Sequence, residues 1–462
     1  MLNLFAKSRP RLPSIATSGL VALAVLVNAS SAHAQGLPLI RDSEIETLLS
    51  DYARPIFKAA GLGANKIQMR IVREDSFNAF VVDGRSVFIN TGALMISDTP
   101  NQVIGVIAHE TGHITGGHMA ALRARIAKDQ TRQLLMQILG IGLLVAGGTG
   151  GNKELGGAGT GVIFGGGEVI QRGLLAERRQ QESAADQAGI KLLDATRQSG
   201  RGMLETFERF AQQEYISDAQ KDAFVRSHPV ATDRLARLRT LVESNAHYAT
   251  KDSTELQLRH DLMRAKLSGY LESPSIINSR YPVANTTLPA RYARALAKFF
   301  KGGDGALEQA LIEMDGLIKE RPDNAWFYEV KGDILTRAGR KQEAITPLRQ
   351  ALKFANDSML IRVQLADSLM ASGDPTSTNE AVEMLRKSLV DDQNPRAYRL
   401  LATAYYKQGK GPEADAAQAQ AEFQEGDLKK AQIFAKRALT KLAQGSPDWV
   451  KCDDILNYKP ET

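Results

Sequence analysis

The pattern of apolar and polar residues over 99–113 predicts a buried helix. Residues 102–107 are mostly apolar at helical spacing, and residues 99–101 supply a polar start with a proline in the first turn. The helix is expected to continue through His109 and His113. Because these two residues are four apart, they share one helix face, one turn from each other.

A second helix is predicted over residues 181–189, where alanine is frequent. Glu182 and Asp186 are again four residues apart, so their carboxylates lie on one face. Taken by itself, such an acid pair is typical of a solvated helix surface. Its position some seventy residues after the two histidines is what makes a shared site the better interpretation.

From about residue 254 the pattern predicts alternating helices with an internal repeat of about 34 residues. The recurring positions are small residues: Ala310, Ala344, Ala381 and Ala414, with Gly339, Gly373 and Gly409. This pattern resembles tetratricopeptide repeats, whose stacked helix pairs form a surface that binds extended segments or partner proteins. A helical scaffold without a partner is the alternative. Residues 374–379 are expected to be an extra stretch in the turn of the third unit.

The N-terminus has the pattern of a signal peptide. Lys7, Arg9 and Arg11 precede an apolar run over 19–27, and Ala32-His33-Ala34 forms a cleavage site. Cleavage after Ala34 would release the protein to the periplasm. The alternative, a retained anchor helix, is disfavoured because the apolar run is too short to span a membrane comfortably.

Residues 134–173 combine an apolar run with a glycine-dense stretch. One interpretation is a mobile lid or membrane-touching segment over a cleft, because glycine leaves a segment free to move. The other is a buried helix followed by a disordered connector. We favour the lid, since the segment lies between the two helices predicted to carry the site.

Charge and cysteine content argue against nucleic-acid binding and against a disulfide-stabilised fold. The 462-residue chain has 58 Lys+Arg and 52 Asp+Glu, an excess of six, of which three leave with the signal peptide. The remaining excess is too small and dispersed to indicate a nucleic-acid partner. Cys452 is the single cysteine, so no intramolecular disulfide can form.

The segment His109-Glu110-x-x-His113 is the local signature of a zinc metallohydrolase. Both histidines can present a ring nitrogen to one ion, and Glu110 is placed to take a proton from the attacking water and pass it to a leaving amine. A structural zinc site is usually rich in cysteine, so a catalytic site is favoured. Two buried histidines satisfied by other partners are the alternative.

A catalytic zinc site needs a third protein ligand. Glu182 is the best candidate, and Asp186 can accept a hydrogen bond from a ligand histidine and fix its tautomer. This donor set suits one Zn²⁺ ion best. His118 lies five residues beyond His113, off the ligand face, and is interpreted as structural or solvated.

The motif H-E-T-G-H followed by E-S-A-A-D resembles the gluzincin peptidases, which include the HtpX-like and CAAX-prenyl proteases. The resemblance extends to Asn78, Ala79 and Phe80, to the strands on either side of residues 83–85, and to residues 91–94. It implies an edge strand beside the cleft that binds an extended substrate by strand addition. An ordinary hairpin is the alternative.

The same resemblance singles out His228 and Arg234. In periplasmic relatives, a histidine in this His-Pro setting can occupy the open zinc position and hold the enzyme latent, so His228 is a candidate fourth ligand and switch. Arg234 is a candidate catalytic residue that stabilises the oxyanion, or alternatively orders the loop. Without the resemblance, His228 would be interpreted as a surface turn residue.

The whole arrangement resembles the beta-barrel assembly-enhancing proteases. The predicted organisation is a signal peptide over 1–34, an α+β zincin-type metalloprotease domain over 35–250, and an all-α tetratricopeptide-repeat solenoid over 251–462. The resemblance implies a periplasmic zinc endopeptidase, associated with the outer membrane, that hydrolyses misfolded or stalled outer-membrane proteins and contacts their assembly machinery through its repeats. The alternative is a periplasmic chaperone or assembly adaptor with a latent metal site.

Overall fold

A computed structural model describes residues 37–63, 67–82, 85–125, 128, 176–215, 222–355 and 358–459. The predicted signal peptide over 1–34 and the predicted lid over 134–173 lie outside these residues. Among the described helices, none is both long enough and apolar enough to cross a membrane.

A four-stranded mixed sheet lies in the N-terminal part. Its strands are β1 (Leu39–Ile40), β2 (Gln68–Val72), β3 (Ala79–Val81) and β4 (Ser86–Asn90), in the order β1-β2-β4-β3. β2 and β4 are parallel, and the other two pairs are antiparallel. Among the described residues β3 is therefore an edge strand, and it spans 79–81 where the prediction named residues 78–80. Alternation along β2, β3 and β4 turns Ile71, Ala79 and Ile89 into the core.

The helices of this part pack on one another and on the sheet. They are α1 (Ser43–Ala59), α2 (Thr91–Ile96), α3 (Pro100–Thr115), α4 (residues 118–125), α5 (residues 176–195), α6 (Arg201–Ala211), α7 (Ala223–Ser227) and α8 (Thr232–Glu243). α1 begins where Asp42 accepts a hydrogen bond from the backbone N–H of Ile45 at 2.9 Å. α3 is the helix predicted from the apolar pattern.

Helices alone make up the described remainder. They are α9 (Thr254–Leu271), α10 (Pro274–Arg280), α11 (Leu288–Lys301), α12 (Ala306–Glu320), α13 (Ala325–Arg337), α14 (Lys341–Phe354), α15 (Met359–Met370), α16 (Pro375–Asp391), α17 (Pro395–Lys407), α18 (Gly411–Gln424), α19 (Leu428–Leu439) and α20 (Pro447–Asn457). The predicted fold class, an α+β domain followed by a helical solenoid, is confirmed.

The recurring glycines end the first helix of successive pairs. Gly339, Gly373 and Gly409 have φ of +80°, +74° and +72°, the left-handed conformation that glycine adopts without a Cβ clash. The prediction for residues 374–379 is wrong. Asp374 caps α16 by accepting from the N–H of Ser377 at 2.8 Å, so this stretch is the first turn of the helix and not a longer loop.

α9 belongs to both hydrophobic cores of this region. Met263 and Leu267 pack into the core of the sheet-containing part, whereas Leu262 and Ala265 pack into the core of the repeats. The predicted boundary at residue 250 lies just before this shared helix. α9 therefore packs against both parts.

A buried charge network also joins the two parts. The Nζ atom of Lys266 lies 2.8 Å from Asp42, 2.8 Å from Glu329 and 3.3 Å from Glu44. Tyr292 donates a hydrogen bond to Glu44 at 3.1 Å. Burial would lower the pKa of Lys266, but the carboxylates of Asp42 and Glu329 outweigh it and hold that pKa well above its usual value.

For Glu44, burial raises the pKa and is not outweighed by the neighbouring charge. It is the largest cause of a pKa of about 7 for that carboxyl group, and the charge of Lys266 reduces this rise only in part. Burial also raises the pKa of Glu329. The network thus surrounds one ammonium group with more carboxyl groups than it can neutralise.

The segment that connects β1 to α1 also contacts a later repeat. The guanidinium of Arg41 pairs with Glu46 at 2.7 Å and with Asp392 at 2.5 Å. The hydroxyl groups of Ser43 and Ser358 are hydrogen-bonded as well. Residues far apart in the sequence therefore hold the start of α1 against the solenoid.

Candidate metal centre

α3 presents the two histidines from a rigid, buried position. Its first turn is held by Asn101, whose backbone N–H donates to Asp252 at 2.9 Å and whose side chain accepts from the N–H of Gly202 at 2.7 Å. Gly112 lies so close to α5 that a Cβ there would be 2.6 Å from the carbonyl oxygen of Ala185. This close approach brings the ligand-bearing faces of α3 and α5 together.

Four predicted ligands converge at this contact. His109, His113, Glu182 and His228 are buried, and each offers one ligand atom within 4.8 Å of the others. The Nε2 atom of His109 is 3.1 Å from Nε2 of His113, 3.2 Å from Nδ1 of His228 and 3.4 Å from Glu182. Glu182 is 3.4 Å from Nε2 of His113 and 3.1 Å from Nδ1 of His228.

These separations fit a tetrahedral zinc ion. Zinc–nitrogen distances of about 2.0–2.1 Å at tetrahedral angles place ligand atoms roughly 3.3 Å apart. The five measured separations, 3.1 to 3.4 Å, bracket that value. Three ring nitrogens that face one another cannot all be satisfied by mutual hydrogen bonds, because a neutral imidazole carries one N–H. The donor set therefore fits a zinc ion held by His109, His113, Glu182 and His228.

Asp186 supports His109 from behind. Its Oδ1 atom lies 3.0 Å from Nδ1 of His109, on the side of the ring away from the ligand cluster. A carboxylate there keeps the proton on Nδ1 and leaves Nε2 free to ligate. The structure thus brings Asp186 to the place predicted for it.

Arg234 fixes the orientation of Asp186. Its guanidinium donates to both oxygens of Asp186, at 2.6 and 2.8 Å, and lies 4.6 Å from the centre of the Phe207 ring. A further nitrogen donates to the carbonyl of Pro229 at 2.9 Å and lies 3.1 Å from Glu182. These contacts favour the alternative in which Arg234 orders the loop after His228 over an oxyanion role.

Glu110 lies beside the cluster without being one of its ligands. Its carboxylate is 3.3 Å from Nε2 of His228 and is almost fully buried. Burial is the largest influence on this group and raises its pKa, against the opposing charges of His228 and His109. A carboxylate with a raised pKa is better suited to accept a proton than one at its ordinary value.

The three ligands on α3 and α5 differ in the pKa of their side chains. Burial lowers the pKa of His113 to about 2, so this ring is neutral. For His109, burial also lowers the pKa, but hydrogen bonds with Asp186 and Glu182 outweigh it and raise the value to about 9, so zinc would displace the proton on Nε2 when it binds. Burial raises the pKa of Glu182, yet His228, His109 and Arg234 hold it well below its usual value. Glu182 is consequently an ionised carboxylate, as a zinc ligand must be.

His228 is held by a segment that runs along the edge strand. The backbone N–H of Phe224 donates to the carbonyl of Phe77 at 3.1 Å, and Ser227 donates to the side chain of Asn78 at 3.0 Å. The Nε2 atom of His228 lies 3.4 Å from the carbonyl oxygen of Ala79. His228 therefore contacts the ligand cluster with one ring nitrogen and the edge strand with the other.

His118 is the residue whose place was not foreseen. It is buried, and its Nδ1 atom is 2.9 Å from Nδ1 of His113. The solvated alternative for His118 is therefore wrong. The prediction placed His118 off the ligand face by its spacing of five residues from His113, whereas α3 ends at Thr115 and the turn at Gly116 and Gly117 precedes α4. That glycine pair was the available signal.

Two family comparisons cover the two parts of the chain. Residues 40–242 match the family described as Peptidase family M48. Residues 314–425 match the Cytochrome c-type biogenesis protein H TPR domain.

Similar proteins extend along most of the chain. The Beta-barrel assembly-enhancing protease of Yersinia pestis is 24% identical over 433 residues, which cover 90% of this chain and 83% of that protein. The protein of the same name from Escherichia coli (strain K12) is 24% identical over 428 residues, with the same shares. Metalloprotease YcaL of Escherichia coli (strain K12) is 24% identical over 210 residues, 44% of this chain and 74% of that protein.

Proposed function

We propose that this chain is a zinc-dependent endopeptidase whose ligands are His109, His113 and Glu182, because residues 40–242 match Peptidase family M48. The observation that carries the proposal is the set of ligand separations, 3.1 to 3.4 Å, in a buried cluster with Glu110 beside it. Three protein ligands leave one position for catalysis.

The zinc ion and the surrounding residues have separate roles in hydrolysis. When bound, zinc supplies a Lewis acid that polarises the scissile carbonyl and makes water a better nucleophile. Glu110 accepts a proton from water as the carbon–oxygen bond forms, and it returns that proton to the amine nitrogen as the carbon–nitrogen bond breaks. Asp186 keeps His109 oriented, and Arg234 keeps Asp186 and the 228–229 backbone in place.

The edge strand is the proposed substrate-binding element. The carbonyl of Asn78 accepts from the N–H of Asn90 on β4 at 2.9 Å. Backbone groups alternate in direction along a strand, so those of Ala79 and Val81 face away from β4. An extended substrate can pair with these groups, which recognise backbone rather than a particular side chain. Phe80, between them, is the strand partner of Phe88 on β4, and the two rings stack.

His228 is the proposed inhibitory residue. It supplies the fourth ligand of the cluster through a ring nitrogen, so it excludes the nucleophilic water, and it also lies at the outward carbonyl of Ala79. Removal of His228 from this position would free the metal position and the substrate-binding edge together. The site is thus proposed to be latent until the 222–228 segment moves.

The biological role follows from the relatives and the repeats. Two similar proteins bear the name Beta-barrel assembly-enhancing protease, and the repeats offer a surface for a protein partner. We therefore propose that the chain acts in the periplasm, hydrolyses stalled or misfolded outer-membrane proteins, and contacts their assembly machinery through the repeats.

A second function is favoured by one observation. Because His228 completes a four-ligand set, the chain could serve mainly as a periplasmic chaperone or assembly adaptor with a closed metal site. The two functions differ in whether biological activity requires hydrolysis. A Glu110→Gln protein that restores outer-membrane protein assembly in cells lacking the wild-type chain would support the adaptor.

The decisive experiment measures cleavage of an unfolded outer-membrane barrel protein by the purified, zinc-loaded chain. We expect His228→Ala to cleave faster than wild type and Glu110→Gln to lose about 10²–10⁴-fold in rate. His247→Ala is the matched control, since this histidine is partly exposed and 3.8 Å from Asp194. Slower cleavage by His228→Ala would contradict the inhibitory role. Cleavage that does not depend on Glu110 would contradict the peptidase.

A further inference from the structure

His113 has two ring nitrogens with different surroundings. Nε2 faces the ligand cluster, 3.1 Å from Nε2 of His109, and Nδ1 faces His118 at 2.9 Å. The two rings meet edge to face, with centres 4.9 Å apart and planes at 80°. The partner of Nδ1 is thus a buried side chain, not solvent.

The local backbone is built to direct His118 toward this contact. Gly116 and Gly117 follow the last turn of α3, and Gly117 has φ of +63°, a conformation that favours glycine. A Cβ at Gly116 would overlap the ring of His118. Both glycines are therefore needed where they stand if His118 is to reach back to His113.

The hydrogen bond between His113 and His118 has a defined donor and acceptor when a metal is bound. A neutral imidazole that ligates through Nε2 carries its hydrogen on Nδ1, so His113 donates and His118 Nδ1 accepts. His118 then carries its own hydrogen on Nε2. Asp186 performs the same task for His109, but with a charged carboxylate. The two ligand histidines thus have acceptors of different strength.

We infer that His118 is a positioning residue that holds His113 in the tautomer and ring orientation required for zinc binding. This inference rests on the proposed zinc site. His118 neither contacts the substrate edge nor supplies a ligand atom. Its effect is expected on the affinity for the metal, through the hydrogen bond to His113.

The test compares two substitutions of nearly equal size. His118→Leu removes the acceptor, whereas His118→Asn can place an amide oxygen near the former position of Nδ1. Zinc affinity of the purified full chain is measured by competition with a chromophoric chelator. We expect His118→Leu to bind zinc about 10–100-fold more weakly, and His118→Asn to recover most of that loss.

A second variant keeps the histidine and moves it. Gly116→Ala should displace the His118 ring and weaken zinc binding in the same direction as His118→Leu. The absorbance of bound Co²⁺ provides an independent readout, because loss of orientation at His113 changes the ligand field.

The possible outcomes distinguish the role of His118 from the existence of the zinc site. If wild type binds zinc and His118→Leu binds it equally well, the positioning role is wrong and the zinc site stands. If Leu and Asn weaken binding equally, His118 only fills space, and the inference is again wrong. If wild type itself binds no zinc, the proposed function fails together with the inference.

Discussion

Replacing Lys266 with methionine tests the buried junction between the sheet-containing part and the repeats. The substitution keeps most of the side-chain volume but removes the ammonium group. It leaves Asp42, Glu44 and Glu329 facing one another, where Nζ of Lys266 had been 2.8 to 3.3 Å from each. Glu44 and Glu329 are nearly fully buried, so water cannot replace the lost partner.

The size of the effect follows from this burial. Removal of one partner from a buried ion pair costs about 3–5 kcal/mol, because the remaining charge is left uncompensated. We expect a loss of this size at pH 8 and a smaller one at pH 5, where the carboxyl group of Glu44, with a pKa of about 7, takes up a proton. Lys331→Met is the control, since Lys331 pairs with Asp315 near the surface and its loss should cost below about 1 kcal/mol.

Trp326 offers a local signal for this experiment. It lies on α13, the helix that carries Glu329, and the chain contains two tryptophans. In a Trp449→Phe background, urea unfolding followed by tryptophan fluorescence therefore reports on the junction. If Lys266→Met changes the unfolding free energy no more than Lys331→Met does, the network does not hold the two parts together as argued.

Two further predictions concern other buried contacts. The pKa of Glu44, about 7 in the folded chain against an ordinary value near 4.5, means that the folded state binds this proton more tightly, so stability falls as pH rises from about 4.5 to 7. In Glu44→Gln, the unfolding free energy should fall by on the order of 3 kcal/mol less than in wild type between pH 4.5 and pH 7. The same fall in both proteins would contradict this role of Glu44. Gly112→Ala should force α3 and α5 apart, since the added Cβ would lie 2.6 Å from the Ala185 carbonyl, and should lower stability by about 1–3 kcal/mol and weaken zinc binding. Gly411→Ala, which meets no atom within 4 Å, is its control in thermal unfolding and zinc titration, and equal behaviour of the two variants would rule out the steric argument.

The sequence predicts the contacts that depend on helical spacing. His109 and His113 share a face of α3, and Glu182 and Asp186 share a face of α5, because residues four apart meet on any α-helix. Of the two alternatives for His118, structural or solvated, the solvated one is wrong for the same reason. Five residues at helical pitch would turn it away from His113, and the rule does not apply once two glycines end the helix.

Contacts between distant segments were not predictable in this way. Nothing in the local pattern pairs Lys266 with Asp42 or Glu329, because they belong to helices whose relative position is set by packing of the whole chain. The place of His228 was available only through resemblance to known peptidases. Its contact with the Ala79 carbonyl became visible only in the folded arrangement of the 222–228 segment and the edge strand.

The pairing of Arg41 with Asp392 affects how the chain can fold. The two residues are separated by 351 positions, so their contact cannot form until nearly the whole polypeptide has been synthesised. Contacts of such long sequence separation form late, because closing the intervening loop costs entropy before any packing compensates. A chain cut short before residue 392 would leave the start of α1 without this partner. The ion pair can therefore form only in chains that extend past residue 392, and products truncated before that residue are expected to be more accessible to degradation.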